Sequence, residues 1–215
     1  MEIHLGTVRD FEVTGQGAAP EWGAAEWLPL TPMEQGKPAY GTRAKVLRSE
    51  TGLYFLFDCE DRRLTCTMTE DCDEIYREDV VEAFLWPDES QVLYFEYELS
   101  PLEVELPLLI PNRDSVFMGW RPWRYVGERK VRRATAVRGG PKAQMAAVEG
   151  WTAEFFIPFA LMKGLGNVPP RPGSRWRANL YRIDYDNAPA AHWAWSPVTG
   201  PSFHSFRDFG AIVFE

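Results

Sequence analysis

The sequence is poor in the residues that many catalytic and metal-binding motifs need. It has three cysteines, an odd number without the spacing of a zinc site, and three histidines, His4, His192 and His204, with no third ligand nearby. No stretch approaches the ~18 consecutive apolar residues of a membrane-spanning helix, and residues 1–10 lack the pattern of a signal peptide. We therefore expect no disulfide framework, no zinc centre and no membrane partner. The chain as written is predicted to be cytoplasmic, or extracellular if a leader or a parent enzyme has been removed.

Positive charge is also scarce, with 23 Lys and Arg against 31 Asp and Glu and a net charge of −8. A surface of that sign repels nucleic acid phosphates, so nucleic acid is not an expected partner. Basic residues gather in GERKVRRATAVR, residues 127–138, but apolar residues interrupt the run. This pattern is typical of a solvated strand pair.

Turn residues and short apolar runs are abundant by contrast. Glycine and proline, 17 of each, separate runs rich in Val, Phe, Tyr, Leu and Trp. This spacing predicts an all-β fold, an antiparallel β-sandwich of the jelly-roll or immunoglobulin-like kind with very little helix. Since no linker or repeat divides the chain, we expect one domain over residues 1–215.

The predicted strands cover most of the chain. They are residues 42–47, 53–58, 80–86, 93–99, 123–126, 130–137, 144–148, 151–157, 175–184 and 211–214. The segment PLEVELPLLIPNRDSVFMG, residues 101–119, has internal prolines and is predicted to be an edge excursion or a long loop.

Carboxylates lie within two of the predicted strands. Alternation along REDVVEAFLWP, residues 77–87, places Glu82 in an apolar row. An ionised carboxylate there needs a partner, either an arginine such as Arg182 or a ligand with hydroxyl donors. In the next strand Glu96 and Glu98 share one face, which would lie beside Glu82 if the two strands form a hairpin.

Aromatic residues are concentrated in HWAWSPVTGPSFHSFRDFG, residues 192–210, where the prolines and glycines exclude regular structure. Flat rings together with carboxylates suit a sugar, which has an apolar C–H face and a rim of hydroxyls. Phe203 and His204 are predicted to face Tyr76, which precedes the Glu82 strand. Trp193 and Trp195 alternate along the chain, so one is expected in the core and the other at the edge of the cleft. Trp195 is a candidate for the cleft edge, although a place in the core is the favoured interpretation.

Six segments carry a family resemblance. DVVEAFLWP, YFEYELSP, GWTAEFFIPFALM, WRANLYRID, AWSP and FHSFRDFGAIVF occur in the order and with roughly the spacing of carbohydrate-binding module family 9 and its single-domain relatives. The resemblance extends from about residue 42 to the C-terminus. It implies a β-sandwich without catalytic residues that holds a sugar at a chain end between two aromatic rings, with structural calcium.

The resemblance also assigns residues to the site. The family's two stacking tryptophans fall on Tyr76 and Phe203, its sugar-binding carboxylate on Glu82, and a polar position on the penultimate strand on Tyr181. Its arginine on the second hairpin strand falls on Glu96, which joins Glu82 and Tyr181 as a hydrogen-bonding candidate, and an asparagine of the last loop is replaced by Gly200.

Calcium is not predicted as a required cofactor. The acidic segments DCEDRR, residues 58–63, and TEDCDE, residues 69–74, could supply oxygen ligands, but neither has the complete pattern of a calcium loop. Solvated acidic loops are the favoured interpretation.

The sequence leads to three hypotheses about function. The first is non-catalytic binding of a monosaccharide, an oligosaccharide or a polysaccharide chain end, in polysaccharide breakdown and alongside a catalytic partner protein. The second is a protein association module of the same fold that has lost sugar binding. The third is a glycoside hydrolase with Glu82 and Glu96 as its carboxylate pair, which would need a separation of roughly 5 Å or roughly 6.5–9.5 Å. The sugar and the oligomeric state stay open.

Overall fold

The computed structural model describes residues 1–34, 40–113, 116–200 and 202–215. Within these ranges the chain forms one sheet of ten strands and another of five. Helical structure in the same ranges is limited to the short 3₁₀ helices Pro20–Ala24, Ile75–Arg77, Gly127–Arg129 and Phe206–Asp208. No helix found in these ranges has the length and apolar character needed to cross a membrane. The predicted all-β fold with little helix is confirmed.

The strands are numbered in chain order. The ten-stranded sheet contains β1 (Glu2–Leu5), β3 (Thr31–Pro32), β6 (Val80–Trp86), β7 (Leu93–Leu99), β8 (Glu105–Arg113), β9 (Val116–Phe117), β10 (Arg121–Pro122), β13 (Arg175–Asp184), β14 (Ala191–Ala194) and β15 (Gly210–Phe214). The five-stranded sheet contains β2 (Leu28–Pro29), β4 (Thr42–Arg48), β5 (Gly52–Glu60), β11 (Arg132–Arg138) and β12 (Gly150–Pro158). The main path of the first sheet runs β1-β15-β13-β6-β7-β8-β10, and the second is ordered β11-β12-β5-β4-β2.

The main core lies between the two sheets. Successive side chains of a strand point to opposite faces, so β6 turns Val81, Ala83 and Leu85 inward, where they belong to one buried cluster with Phe55 of β5 and Phe155 of β12. Burial of large apolar side chains contributes roughly 1.5–3 kcal/mol for each one, which makes this interface the main source of stability.

The outer faces of the two sheets are covered differently. Residues 8–25 lie across the outer face of the five-stranded sheet, where Trp22 packs in a cluster with Tyr54 and Phe156. Loops cover only part of the outer face of the ten-stranded sheet, and a cleft remains there. The candidate site therefore lies outside the sandwich core.

Most predicted strands have counterparts, and three match to the residue, namely β6, β7 and β13. The predicted strands at residues 123–126 and 144–148 are wrong, because neither stretch forms a strand. The first strand, β1, was not predicted. It pairs in parallel with β15 at the other end of the chain, a contact that local pattern does not reveal.

The segment 101–119 corrects a further prediction, although residues 114 and 115 lie outside the described part. Residues 105–113 of this segment form strand β8, in which residues 105–111 pair with β7 along residues 93–99 and the last two residues pair with β9. Its prolines are tolerated because the carbonyl groups of Pro107 and Pro111 point away from β7, where they accept hydrogen bonds from the N–H groups of Trp123 and Met118. The missing proline N–H groups would have faced the same outer side, so no bond to β7 is lost.

Candidate functional site

The cleft on the outer face of the ten-stranded sheet has a volume of about 470 Å³. Its floor comes from β6, β7, β8 and β13, and its walls come from the C-terminal loop, the β9–β10 segment and the chain around residue 33. The lining residues are Met33, Glu34, Tyr76, Glu82, Phe84, Glu96, Glu98, Leu108, Phe117, Trp120, Ile183, His192, Ser202, Phe203 and His204.

Three glutamates form the polar part of the floor. Strands β6 and β7 are neighbours, as predicted, with Glu82 directly opposite Glu98 and Phe84 opposite Glu96. Directly opposite Cβ atoms in such a ladder lie about 5 Å apart and diagonal ones about 7 Å apart. The register therefore gathers three carboxyl groups on one small area of the sheet.

These carboxyl groups are buried and poorly paired. The exposed fractions of Glu82, Glu96 and Glu98 are 2%, 4% and 0%. In the described part of the chain, neither oxygen of Glu98 nor Oε2 of Glu96 has a hydrogen bond of good geometry, although the Tyr76 backbone and the Glu96 carboxyl group lie close enough to Glu98 to affect its pKa. Burial raises the pKa of all three groups, and the charge of Glu96 raises the pKa of Glu82 and Glu98 further.

The arginine suggested as a partner for Glu82 lies elsewhere. Arg182 is on β13 beside Tyr181, the residue paired with Glu82, so its side chain points to the opposite face of the sheet. There its Nη2 donates to Oδ2 of Asp61 at 3.1 Å and to Oδ2 of Asp184 at 2.7 Å. Of the two explanations considered for Glu82, the structure excludes the ion pair with Arg182.

The C-terminal loop is fastened to the floor at two successive residues. The Tyr181 hydroxyl donates to the carbonyl oxygen of Phe203 at 3.0 Å, and the Asn112 side chain donates to that of His204 at 2.9 Å. The Phe203 ring also stacks on the Tyr181 ring, with 4.0 Å between centroids. These contacts hold the loop against the sheet and explain how a segment without regular structure can present an aromatic ring.

His204 is enclosed by aromatic rings. Its ring stacks on Phe117 at 4.1 Å and on Phe84 at 5.4 Å, and its Nδ1 shares a hydrogen bond of 2.6 Å with the Tyr94 hydroxyl. Burial lowers the pKa of His204 to about 4, so the ring is neutral at pH 7. Although Nδ1 lies 3.9 Å from Oε2 of Glu96, it brings no positive charge to the floor.

The structure places the seven candidate residues in three settings. Five of them line the cleft, namely Tyr76, Glu82, Glu96, Phe203 and His204. Tyr181 lies beneath Phe203 and is fully buried. Trp195 belongs to the core between the sheets, where its ring packs so closely that a Cβ atom on Gly210 would lie 2.7 Å from it.

Several lining residues were not assigned to the site from the sequence. Glu98 was noted only as a neighbour of Glu96, and Trp120 only as a residue that could extend a surface. Phe117 follows β8, the segment whose prolines hid its pairing. Glu34, which is bonded to His192 through Oε1 at 2.5 Å and to the His192 N–H at 3.0 Å, gave no sequence signal, because its position depends on contact with β14.

A separate acidic group provides a test of the calcium implied by the resemblance. Oxygens of Asp61, Asp184 and Asp186 all lie within 4.8 Å of one another. Arg182 already compensates Asp61 and Asp184, and Nε of Arg63 lies 3.8 Å from Oδ1 of Asp186, a buried oxygen that has no hydrogen bond in the described structure. Carboxylate oxygens of this kind fit Ca²⁺. The residues come from the DCEDRR segment and from β13 and the loop after it, not from the TEDCDE segment.

Comparison with known proteins gives a partial match to one family model and a shared fold. Residues 13–107 match the family model described as "Carbohydrate family 9 binding domain-like". The search of curated proteins gave no match. A solved structure from Bacteroides uniformis, described as a "putative carbohydrate-binding protein", is similar over 100% of this chain and 98% of its own, with a TM-score of 0.78 and 16% identity.

Two solved structures of a carbohydrate binding module family 9 from Caldicellulosiruptor kristjanssonii are also similar. The complex with cellotriose has a TM-score of 0.67 and 15% identity, covering 100% of this chain and 94% of its own. The complex with glucose has a TM-score of 0.66 and 16% identity, covering 100% and 96%. The resemblance to carbohydrate-binding module family 9 is thus confirmed, by the family model over residues 13–107 and by the fold over the whole chain.

Proposed function

We propose that this protein binds a carbohydrate without breaking it, and that the cleft on the ten-stranded sheet holds one sugar unit. The observation that carries the proposal is the floor of three buried carboxyl groups, of which Glu98 has no hydrogen-bond partner among the described residues. A buried polar group without a partner costs about 1–3 kcal/mol, so a ligand that supplies the partner recovers that cost on binding. Sugar hydroxyls can both donate and accept such bonds.

The walls of the cleft support the same ligand class. Phe203 and Tyr76 border the floor from the loop and from the helix before β6, and Trp120 and Phe117 add aromatic surface. Phe117 is 41% exposed, which leaves part of its ring available for contact. Aromatic surface beside hydrogen-bonding groups is the combination that the apolar face and polar rim of a sugar require. A sugar unit at the end of a longer chain also fits, since the cleft opens to solvent.

The carboxyl groups favour binding over hydrolysis. A retaining or inverting glycosidase needs one carboxyl group protonated and one ionised. Here the pKa values of Glu82 and Glu96 are both raised by burial, and no described residue on the floor provides the positive charge that would keep one ionised. We therefore expect no release of nitrophenol from aryl glycosides, and steady release that disappears in Glu82→Gln would refute the non-catalytic assignment.

Sugar binding can be tested by tryptophan fluorescence, because Trp120 lines the cleft. We expect saturable changes when the protein is titrated with a panel of neutral and amino monosaccharides and disaccharides. The substitution Glu82→Gln keeps the shape of the side chain and should weaken binding at least ~10-fold. Glu128→Gln, an exposed position outside the cleft, is the matched control and should bind as the wild type does. Absence of saturation with every sugar would contradict the proposal.

We also propose a structural calcium ion at Asp61, Asp184 and Asp186. Bound Ca²⁺ would neutralise excess negative charge where the described residues leave Oδ1 of Asp186 without a hydrogen bond. Millimolar Ca²⁺ should raise the melting temperature of chelator-treated protein, and Mg²⁺ should do so less. Asp186→Asn should remove the difference between the two ions. An identical melting temperature with Ca²⁺ and with chelator would exclude the site.

A further inference from the structure

The charge of the cleft is one-sided. Its described lining residues include the glutamates Glu34, Glu82, Glu96 and Glu98 but no lysine or arginine. His204 is neutral at pH 7 because burial lowers its pKa, and His192 is bonded to Glu34 rather than to the floor. Burial raises the pKa of the floor glutamates, so without a ligand they hold protons near neutral pH. A ligand that carries positive charge would lower these pKa values and be met by carboxylates, whereas a negatively charged ligand would gain no such partner.

The three floor glutamates are too widely spaced for a bare metal ion. In the described part of the chain, their oxygens do not all come within 4.8 Å of one another, a spacing that Asp61, Asp184 and Asp186 do meet. A larger cation with several directed donors suits the wider arrangement better. A protonated primary amine has three N–H donors, one for each of Glu82, Glu96 and Glu98.

Building on the proposed function, we propose that the sugar held in this cleft is an amino sugar in its protonated form, with its ammonium group among Glu82, Glu96 and Glu98. The ammonium group supplies hydrogen bonds to Glu98, which has none from the described residues. It also replaces the protons that these carboxyl groups hold without a ligand, because a positive charge nearby favours their ionised form.

The aromatic walls contribute to the same recognition. Phe84 lies on the floor opposite Glu96 and on the same face of β6 as Glu82, and Tyr76, Phe117, Trp120 and Phe203 line the same cleft. A cation near the face of such a ring gains about 0.5–2 kcal/mol, and the C–H face of the sugar gains contact with the remaining rings. The site thus separates two tasks, with the carboxyl groups binding the amine and the rings binding the sugar ring.

The test compares ligands that differ at one substituent. Calorimetric titrations at pH 7 would use glucosamine, glucose, N-acetylglucosamine and glucuronic acid, and a glucosamine disaccharide would show whether the free sugar or a chain end is preferred. We expect glucosamine or its disaccharide to bind at least ~10-fold more tightly than glucose, N-acetylglucosamine to bind no better than glucose, and glucuronic acid to bind most weakly. Ethanolamine, an amine without a sugar ring, should bind weakly.

Variants of the floor glutamates test whether these residues cause the preference for glucosamine over glucose. Glu98→Gln keeps the shape and the melting temperature, and it should bring the affinity for glucosamine to within ~3-fold of that for glucose. Glu82→Gln provides a second variant, and Glu128→Gln should keep the full preference. Equal affinity for glucose and glucosamine in the wild type would overturn the amine assignment while leaving sugar binding intact. Binding of ethanolamine as tight as that of glucosamine would also overturn it, and failure of every sugar would overturn both proposals.

Discussion

Two fully buried glutamates, one on each sheet, have opposite surroundings. Glu154 on β12 faces the outer side of the five-stranded sheet and receives five donors. Its Oε2 accepts from the N–H groups of Thr14, Gly15 and Gly17 and from the Thr14 hydroxyl, while its Oε1 accepts from Trp22 Nε1 at 2.9 Å. Glu98 on β7 faces the outer side of the ten-stranded sheet and receives no hydrogen bond from the described residues.

The difference shows that burial alone does not define a site. The carboxylate of Glu154 organises the segment of residues 8–25 that covers its sheet, and its hydrogen bonds offset the cost of removing its charge from water. Glu98 has the same burial without that compensation. A folded chain retains an uncompensated polar group of this kind where a ligand completes it, which is why we place function on the ten-stranded sheet and structure on the five-stranded sheet.

The largest expected effect comes from exchanging each glutamate for glutamine. Glu154→Gln replaces an oxygen acceptor by an NH₂ group that faces other donors, so the free energy of unfolding should fall by about 2–4 kcal/mol. Glu98→Gln should change it by less than about 1 kcal/mol, because burial favours the protonated form of Glu98 and a neutral amide of the same shape then replaces a neutral carboxyl group. Urea denaturation of both variants measures the comparison. Equal losses would show that Glu98 has a structural role similar to that of Glu154.

The second expected effect is a pH dependence of the folding stability that arises from the glutamates of the cleft. Burial raises the folded-state pKa of Glu96 to about 8, and those of Glu82 and Glu98 are raised as well, whereas an unfolded glutamate titrates near ~4.3. The unfolded chain therefore loses these protons first as the pH rises. The stability associated with the protonated groups is complete below about pH 4 and is lost as the pH rises toward 8 and beyond.

We expect the ligand-free protein to lose unfolding free energy between pH 5 and pH 8 through the cleft, by up to about 4 kcal/mol from Glu96 alone, since each pH unit between the unfolded and folded pKa values corresponds to about 1.4 kcal/mol. The triple variant with glutamine at positions 82, 96 and 98 should lack this part of the loss. Burial also raises the pKa of Asp61 and Asp79, but both proteins share those groups, so the difference between their pH profiles isolates the cleft. Parallel profiles would contradict the assigned protonation.

The sequence predicted the parts of this comparison that depend on alternation along a strand. Strands β6, β7 and β13 match to the residue, and the shared face of Glu82, Glu96 and Glu98 follows from a period of two residues. An arginine partner for Glu82 stayed an open alternative because strand pattern does not say which face of a neighbouring strand carries the charge. Arg182 faces Asp61, which lies 121 positions away in the chain.

Contacts between distant segments could not be predicted in the same way. The five donors to Glu154 come from residues 14–22, a stretch without strand or helix periodicity, so local pattern did not indicate that this glutamate was buried. The pairing of β8 was hidden because its prolines argue against a strand unless the direction of each carbonyl is known. Tertiary contacts, rather than local propensity, determine these features.

The smallest expected effect is on sugar affinity, which should fall when an aromatic residue beside the ten-stranded sheet is removed but not when one beside the five-stranded sheet is removed. Phe203→Ala removes the ring that stacks on Tyr181 at the wall of the cleft, so sugar affinity should fall about 5–10-fold, corresponding to about 1–1.4 kcal/mol. Trp27→Ala is the matched control, because Trp27 packs against the cluster on the outer face of the five-stranded sheet and contacts Arg43 there at 4.1 Å. It should leave affinity unchanged while lowering the melting temperature. If Trp27→Ala weakened sugar binding as much as Phe203→Ala did, the sugar would have to contact both sheets, and the division of structure and function between them would fail.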